Sequence, residues 1–460
     1  MKKFTVKPRL TASRNTLTIG NGQAADSPWI YLGRLAEVGP LTNVHFDAAH
    51  PHVVAIFGKR GSGKSYTMGS MLEGFCTRST SSSISQIMRD KAVLLFDTLG
   101  IFQWTDISLD QAQDGAVRAH QESVWRGWEL QPEELDVQVW IPQGTRDATT
   151  PSGHREFAVR TSDFSADDWG YLLNLDIYQD RMGQLLNDAF IKVTLEGWNS
   201  QDRHHDAIQT YSLEDLIDCI SEDDELLASY QTETRRAVIQ QLTTFVRNPL
   251  FQSAGTPLPE LLQPGRLNVL VMNRMSGPLR LVIMSSMIRR LLDQRTSASE
   301  AEKHLAIRAD LTPQERANLE DLLSQAVPPT WVALDEAQNI LPSERRTAAG
   351  DMLIRFVREG RNYGLSFMVA TQQPTAIDNR ILAQVDTLIA HKLTVQSDIE
   401  YVHRNLKSNL PQDVTFNNQS LEFEQLLRSL DTGQALITNT EADRALLVDI
   451  RPRVSVHGGF

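Results

Sequence analysis

The chain has 460 residues, 41% of them hydrophobic and 22% charged, and a formal net charge of −12 at pH 7. These values are those of a globular protein with one to three domains, and they exclude a disordered or fibrous chain. The negative charge argues against a uniformly basic nucleic-acid binder, although a local basic surface would be enough to bind DNA. No apolar run approaches the length of about 18 residues that a membrane helix requires, and no signal peptide is visible. We therefore expect a cytoplasmic protein without a membrane segment.

The pattern of elements predicts five segments in chain order. Short alternating runs, Thr16–Ile19 and Trp29–Leu32, predict a small β module, and amphipathic stretches beginning at Ser165 predict a helical insertion. Apolar strand-like runs on both sides of this insertion predict one α/β core that is interrupted in sequence. The predicted segments are the N-terminal β module at 1–50, the first part of the core at 51–160, the insertion at 161–262, the second part of the core at 263–450 and a tail at 451–460.

The strongest motif is G-x-x-x-x-G-K-S at residues 58–65, which lies between the apolar run Val53–Phe57 and a helix-forming stretch. Small residues let backbone N–H groups approach a triphosphate closely, and the following helix directs the positive end of its dipole toward the same anion. The motif therefore predicts an ATP site in which Lys64 reaches the β- and γ-phosphates and Ser65 binds Mg²⁺. The residues assigned to the nucleotide are Gly58, Gly61, Ser62, Gly63, Lys64, Ser65 and Tyr66.

Three further apolar runs end in polar residues that suit the same chemistry. The run 92–96 ends at Asp97, which either acts near the nucleotide and its metal or caps the following turn. The run Trp331–Leu334 is followed by Asp335, a predicted Mg²⁺ ligand, and by Glu336, predicted to polarise the attacking water. The run Ser366–Thr371 is followed by Gln372, a side chain that can contact the γ-phosphate. An acidic residue in the place of Glu336 favours hydrolysis over simple nucleotide binding.

Together with the segments 358–364 (REGRNYG), 371–374 (TQQP) and 451–454 (RPRV), these motifs resemble the HerA/FtsK group of ring-shaped P-loop ATPases, and HerA-type DNA translocases most closely. The resemblance covers about residues 28–458 and implies a RecA-like α/β core with a central, mainly parallel sheet. It also implies a homohexamer with ATP between subunits, double-stranded DNA in a central channel and a C-terminal tail that contacts a neighbouring subunit. Arg361 then corresponds to an arginine finger, with Arg358 as the competing candidate. The catalytic residues implied are Lys64, Glu336, Arg361 and Gln372.

Two functions from different classes follow from this resemblance. The first is an ATP-driven double-stranded DNA translocase or helicase that works with a nuclease or an NAD-hydrolysing effector in trans, with bacterial antiphage defence as one setting. The alternative is a hexameric scaffold whose nucleotide state assembles and activates an effector without processive movement. A conjugation or secretion motor is disfavoured because the sequence shows no membrane segment. Arg146, Arg155 and Arg160 are candidates for DNA contact, although a solvated surface is the better explanation of each.

Overall fold

A computed structural model describes residues 16–20, 26–36, 41–108, 124–201, 203–405, 413–416, 419–440, 445–456 and 458. The chain divides into two compact units. The first comprises Met1–Val139, Leu262–Val271 and Leu292–Phe460, and the second comprises Trp140–Leu261 and Met272–Leu291. The start of the second unit at Trp140 differs from the boundary at 160–161 that the sequence predicts.

The strands follow the apolar runs of the sequence. In the part of the chain that the structure describes they are β1 (Thr16–Ile19), β2 (Trp29–Leu35), β3 (Asn43–Asp47), β4 (Val53–Phe57), β5 (Ser85–Gln86), β6 (Ala92–Asp97), β7 (Val137–Pro142), β8 (Arg155–Phe157), β9 (Val159–Arg160), β10 (Trp198–Ser200), β11 (Arg203–His205), β12 (Phe251–Gln252), β13 (Leu267–Val271), β14 (Thr330–Leu334), β15 (Ser366–Thr371), β16 (Thr387–Ala390), β17 (Asp413–Phe416), β18 (Gln419–Glu422), β19 (Gln434–Asn439) and β20 (Leu446–Ile450).

The α-helices with defined bounds are α1 (Lys64–Gly74), α2 (Ala166–Leu173), α3 (Arg181–Ile191), α4 (Leu213–Glu222), α5 (Asp224–Ser229), α6 (Thr232–Val246), α7 (Leu258–Leu261), α8 (Gly277–Ile307), α9 (Pro313–Gln325), α10 (Ala348–Glu359), α11 (Asn379–Leu382), α12 (Gln396–Asn405) and α13 (Phe423–Ser429). Residues 124–128 are also helical, and a π-helical turn, Lys192–Glu196, follows α3. Among the described helices, none is long and apolar enough to cross a membrane.

The first unit is built on one large sheet. Six of its strands are parallel and lie in the order β16–β4–β15–β14–β6–β13. Strands β4, β6, β13, β14, β15 and β16 are entirely buried, which is the pattern of parallel strands that are covered on both faces. This arrangement confirms the predicted α/β fold class with its central, mainly parallel sheet.

The N-terminal strands extend the same sheet. Beyond β16 the order continues β19–β20–β2–β3–β1, with β19, β20, β2 and β3 paired antiparallel. Strand β2 joins β20 from the far end of the chain, with Gly33 opposite Ile450. The described strands of the predicted β module at 1–50 are therefore continuous with the core sheet.

The second unit contains most of the predicted helical insertion. Helices α2 to α6 surround a buried aromatic core in which the Trp169 indole donates a hydrogen bond to the Tyr211 hydroxyl at 2.7 Å. Ser165 and Ser212 begin α2 and α4 with complete capping boxes, as expected of serine before an acidic first turn. A short antiparallel hairpin, β10–β11, interrupts the helices.

The C-terminal tail is buried within its own chain. Arg451 and Arg453 are fully buried, and their guanidinium groups bond the two carboxylate oxygens of Glu73 on α1, each at 3.0 Å. The backbone N–H groups of Val454 and Ser455 donate to the same carboxylate. We expected this tail to contact a neighbouring subunit; for residues 451–455 that expectation is corrected, because their side chains are in the core of the chain. Residues 457, 459 and 460 lie outside the described part.

Candidate nucleotide site

Three neighbouring parallel strands carry the predicted nucleotide residues at the same edge of the sheet. Strand β15 lies between β4 and β14, so the loop after Phe57, the acidic pair after Leu334 and the side chain after Thr371 lie side by side. The carboxyl ends of parallel strands are where open α/β sheets bind ligands. The structure thus brings Lys64, Ser65, Asp335, Glu336 and Gln372 together.

The loop between β4 and α1 has the conformation that its glycines permit. Gly61 and Gly63 have positive φ angles of +75° and +108°, which side-chain-bearing residues rarely adopt. Both the backbone N–H and the hydroxyl of Ser62 donate to the Lys59 carbonyl, which closes the turn. Helix α1 begins at Lys64, and its first N–H groups have no intrahelical acceptor. The loop therefore offers backbone donors and a helix N-terminus to an anion.

His391 packs against this loop at Gly58. It was not predicted from the sequence. A Cβ atom on Gly58 would lie 2.8 Å from the His391 Cβ, so glycine is required for this close approach. The Nδ1 of His391 lies 2.8 Å from the Gln434 carbonyl, and its Nε2 lies 2.8 Å from the Thr67 hydroxyl. Since a carbonyl only accepts, Nδ1 carries the proton and Nε2 accepts from Thr67. Burial lowers the pKa of His391 to about 4, and the imidazole is neutral.

Lys64, Ser65 and Asp335 form the part of the site that suits a phosphate and its metal. The Lys64 side chain is buried, which lowers its pKa, while the carboxylates of Asp335 and Glu336 raise it. The Ser65 hydroxyl donates to Asp335 Oδ2 at 2.6 Å, and burial raises the pKa of Asp335. A hydroxyl and a carboxylate are hard oxygen ligands of the kind that Mg²⁺ binds beside nucleotide phosphates. These residues fit the predicted cofactor.

Glu336 is held between two side-chain amides. Its backbone is left-handed, with φ +52°, which is uncommon for a residue other than glycine. One carboxylate oxygen accepts from Gln372 Nε2 at 2.5 Å, and the other accepts from Gln338 Nε2 at 2.6 Å. The Oε1 of Gln338 in turn accepts from the Thr371 hydroxyl at 2.8 Å. Gln338 was missed in the sequence, where its only signal is its place two residues after Glu336.

Two predicted residues direct their side chains away from this site. The Asp97 carboxylate accepts the N–H groups of Leu99, Gly100, Ile101 and Phe102, so it caps the turn after β6. Its burial raises the pKa of Asp97 to about 6 despite these four hydrogen bonds. The Tyr66 hydroxyl accepts from the backbone N–H of Arg453 at 2.7 Å. Of Tyr66, only the backbone at the start of α1 faces the loop.

The arginine candidates lie elsewhere in the first unit. Arg361, in the turn Gly360–Tyr363, donates through Nη2 to Asp386 Oδ2, and Asp386 accepts the backbone N–H of Val53 at the beginning of β4. Because the nucleotide loop follows the other end of β4, Arg361 is separated from it by the strand length of about 13 Å. Arg358, on the exposed side of α10, has no ion pair or hydrogen bond within the described residues. Neither arginine is in its own chain's site.

The three arginines considered for DNA contact belong to the second unit, and each faces a carboxylate there. Arg146 lies 3.9 Å from Glu156, Arg155 lies 3.6 Å from Glu260, and Arg160 lies 3.8 Å from Asp163. These are partly exposed pairs, which contribute little to stability. Their geometry gives none of them a distinct role.

A family model described as "Helicase HerA, central domain" matches residues 30–291, which is more than half of the chain. The chain belongs to this family. This result confirms the resemblance to the HerA-type proteins that was drawn from the motifs. The match includes the glycine-rich loop but ends before Asp335.

Several proteins with assigned names are similar to parts of this HerA-family chain. The "DNA double-strand break repair helicase HerA" of Pyrococcus furiosus is 24% identical over 185 residues, which cover 39% of this chain and 33% of that protein. The HerA helicase of Sulfurisphaera tokodaii is 30% identical over 122 residues, or 26% of this chain and 23% of that protein. The aligned part thus spans a third or less of these relatives. The solved structure of VirB4 from Thermoanaerobacter pseudethanolicus has a TM-score of 0.51 and 13% identity, covering 95% of this chain and 98% of that one, and it shows the shared fold alone.

Proposed function

We propose that this protein hydrolyses ATP and uses the energy to move along double-stranded DNA. One observation carries the enzymatic part: the Ser65–Asp335 pair and the Glu336 carboxylate lie beside a glycine-rich phosphate loop at the carboxyl edge of the sheet. The DNA part is supported by the family and by its similar relatives, which are named DNA double-strand break repair helicases.

Each side chain has a defined task in the proposed reaction. Lys64 neutralises phosphate charge, and Ser65 and Asp335 would hold a Mg²⁺ ion, which neutralises charge that develops on the phosphate oxygens. Glu336 accepts a hydrogen bond from the attacking water and removes its proton as a general base. Gln372 already contacts the Glu336 carboxylate and can orient it. The chain thus supplies positioning, charge neutralisation and a base.

The missing cationic group is proposed to come from a second copy of the chain. Arg361 lies at the amino edge of the parallel strands, whereas its own phosphate loop lies at the carboxyl edge. A guanidinium in that place cannot reach its own γ-phosphate, so it can act only on a neighbour. This position supports action of Arg361 in trans. The homohexameric ring with ATP between subunits and DNA in its channel is proposed on the resemblance of the motifs. A nuclease or an NAD-hydrolysing effector as a separate partner, a cytoplasmic location and a role in antiphage defence belong to the same proposal, and they are supported by the resemblance of the motifs.

One observation favours the alternative of a nucleotide-controlled scaffold. Each oxygen of the Glu336 carboxylate accepts a hydrogen bond from an amide, so the attacking water has to share these oxygens with Gln338 and Gln372, which fits slow turnover. A ring that turns over slowly and changes its assembly with the bound nucleotide would use the same residues. The two functions differ in whether DNA stimulates hydrolysis.

The test is ATP hydrolysis by the purified 460-residue chain with and without linear duplex DNA. We expect stimulation by DNA, and we expect Lys64→Ala to lose nucleotide binding. Glu336→Ala should retain binding while kcat falls at least about 100-fold, the lower range for loss of a general base. Glu320→Ala, on the exposed helix α9, is the matched control and should match the unaltered protein. Activity lost in both site variants but indifferent to DNA would contradict the translocase and favour the scaffold.

A further inference from the structure

The side chain of Arg361 is exposed, but its charged end rests on a nearly buried carboxylate. The exposed fraction is 42% for Arg361 and 10% for Asp386. Nη2 donates to Asp386 Oδ2 and lies 3.5 Å from the Gln384 carbonyl. In the described part of the chain, Nε and Nη1 of Arg361 have no partner. One side of the guanidinium is therefore held, and the other remains available to a phosphate.

Asp386 is fixed by the sheet rather than by Arg361. It precedes β16 and accepts the backbone N–H of Val53 at 2.9 Å and the Thr387 hydroxyl at 2.8 Å. His52 Nδ1 lies 3.4 Å from Asp386 Oδ1. Three groups from two places in the sequence thus determine where this carboxylate points.

A second carboxylate continues the network inward. His52 Nε2 lies 3.3 Å from Oδ2 of the fully buried Asp47, which also accepts the N–H of Ala49. The two flanking carboxylates raise the pKa of His52 although burial opposes this. Each ring nitrogen of His52 faces a carboxylate, so the imidazole links Asp47 to Asp386 at the amino edge of the sheet. Arg361 is the outermost member of this chain of contacts.

We propose that Asp386 is the positioning residue that presents Arg361 to the nucleotide of a neighbouring subunit. This inference rests on the proposed function, in which Arg361 acts in trans. An arginine stabilises phosphate charge most strongly when its guanidinium is already oriented before the phosphate binds, because less side-chain rotamer freedom is then lost. Arg358, only one helical turn away, is exposed and has no such carboxylate. Asp386 therefore distinguishes Arg361 from Arg358 as the finger.

The first part of the test is the kinetics of Asp386→Asn. We expect kcat for ATP to fall about 10- to 100-fold, as misplaced catalytic groups do, with an unchanged KM. Arg361→Ala should lose about 10³-fold or more. Asp378→Asn is the matched control, since Asp378 forms a similar ion pair with Arg380 and should leave kcat unchanged. Asp386→Glu, which keeps the charge, should retain more activity than Asp386→Asn and serves if the latter does not fold.

The second part is recovery of activity in mixed assemblies made by coexpression with Lys64→Ala subunits, which keep their own Arg361 and Asp386. We expect the ATP hydrolysis rate of each mixed assembly, Arg361→Ala with Lys64→Ala and Asp386→Asn with Lys64→Ala, to be several-fold higher than the sum of the rates of its two variants measured separately. The reason is that the Lys64→Ala neighbours supply a correctly positioned Arg361. Recovery of Arg361→Ala without recovery of Asp386→Asn would overturn this inference alone, since Asp386 would then act on its own subunit. Recovery of neither would contradict the action of Arg361 in trans, and the inference with it.

Discussion

At the scale of single residues, the Glu336 carboxylate depends on two amides that approach it from different strands. Gln372 follows β15, whereas Gln338 lies in the turn after β14 and is itself held by Thr371. Hydrogen bonds to a charged group contribute about 1.5–3 kcal/mol, so each amide is expected to matter for the orientation of the base.

The substitution Gln338→Leu removes one of these amides while keeping a side chain of similar size. We expect kcat for ATP hydrolysis to fall about tenfold, corresponding to about 1.4 kcal/mol of lost orientation, while KM for ATP changes little. The measurement is steady-state hydrolysis in the presence of duplex DNA. Gln314→Leu, on the exposed face of α9, is the control. Equal kcat values for both variants would show that Gln338 does not orient the base.

His391 makes the stability of the loop dependent on pH. Its pKa in the folded chain is about 4, below the usual value of 6.5. Above pH 6.5 the imidazole is neutral in both states; as the pH falls, the unfolded chain binds the proton first, and the free energy of unfolding decreases until about pH 4. The decrease from this one group is up to about 3 kcal/mol.

His391→Asn keeps a donor for the Gln434 carbonyl but cannot titrate. The measurement is the free energy of unfolding in urea at pH 7 and at pH 4.5. Between pH 7 and pH 4.5 it should fall more for the unaltered protein than for the variant, so that the two proteins differ less in stability at pH 4.5. Other groups, including Asp97, titrate in both proteins and cancel in this comparison. Parallel pH profiles would contradict a buried neutral imidazole beneath the loop.

At this scale, the sequence predicted the proximity of those residues that one short motif or neighbouring strand ends bring together. Gly58 to Ser65 form their turn locally, and the acidic pair follows an apolar run that ends where the loop does. His391 and Asp386 lie far from their partners in sequence, and a single histidine or aspartate after an apolar run has no pattern that identifies it. Their roles depend on which strand is next to β4, and this is a property of the sheet.

At the scale of elements, helix α1 is held at its end by a buried charge cluster. The carboxylate of Glu73 bonds Arg451 and Arg453 and accepts two backbone N–H groups from the tail. Burial opposes ionisation, but the two guanidinium groups hold the pKa of Glu73 below its usual range. Because α1 also carries Lys64 and Ser65, the tail stabilises the helix that presents the nucleotide residues.

Glu73→Gln tests this cluster. The variant leaves two buried guanidinium groups without a counter-charge, and breaking a buried ion pair in this way typically costs about 3–5 kcal/mol. We expect a corresponding loss in the free energy of urea unfolding at pH 7. Glu320→Gln on the exposed helix α9 should change this free energy by less than about 0.5 kcal/mol. If Glu73→Gln lowered the free energy of unfolding by no more than Glu320→Gln does, the cluster would not stabilise α1.

Elements were predicted well where burial leaves a strong pattern. The apolar runs at β4, β6, β14 and β15 predicted parallel strands, and serine followed by acidic residues predicted the start of α2. The tail was assigned to a neighbouring subunit because the resemblance of the motifs implies that contact. The burial of its two arginines could not be predicted, since it depends on a single glutamate almost 380 positions earlier in the chain.

At the scale of the whole molecule, the main difference between expectation and structure is how the chain is divided. The second unit takes in Met272–Leu291, the beginning of the long helix α8, although strand β13 just before it belongs to the first. A boundary predicted from sequence lies where the hydrophobic pattern changes. A compact unit is instead defined by contacts between residues, and these change along the length of a single helix. The family match, which ends at residue 291, crosses both units.

The central claim is that hydrolysis at this site drives movement along double-stranded DNA. The most direct measurement is displacement of a third-strand oligonucleotide bound at the end of a linear duplex, followed over time with ATP and Mg²⁺. We predict displacement by the unaltered protein and none by Lys64→Ala. Displacement should also fail with the Glu336→Ala variant, which is expected to bind ATP but to hydrolyse it at least about 100-fold more slowly. ATP hydrolysis by the unaltered protein with no displacement of the third strand would contradict the claim.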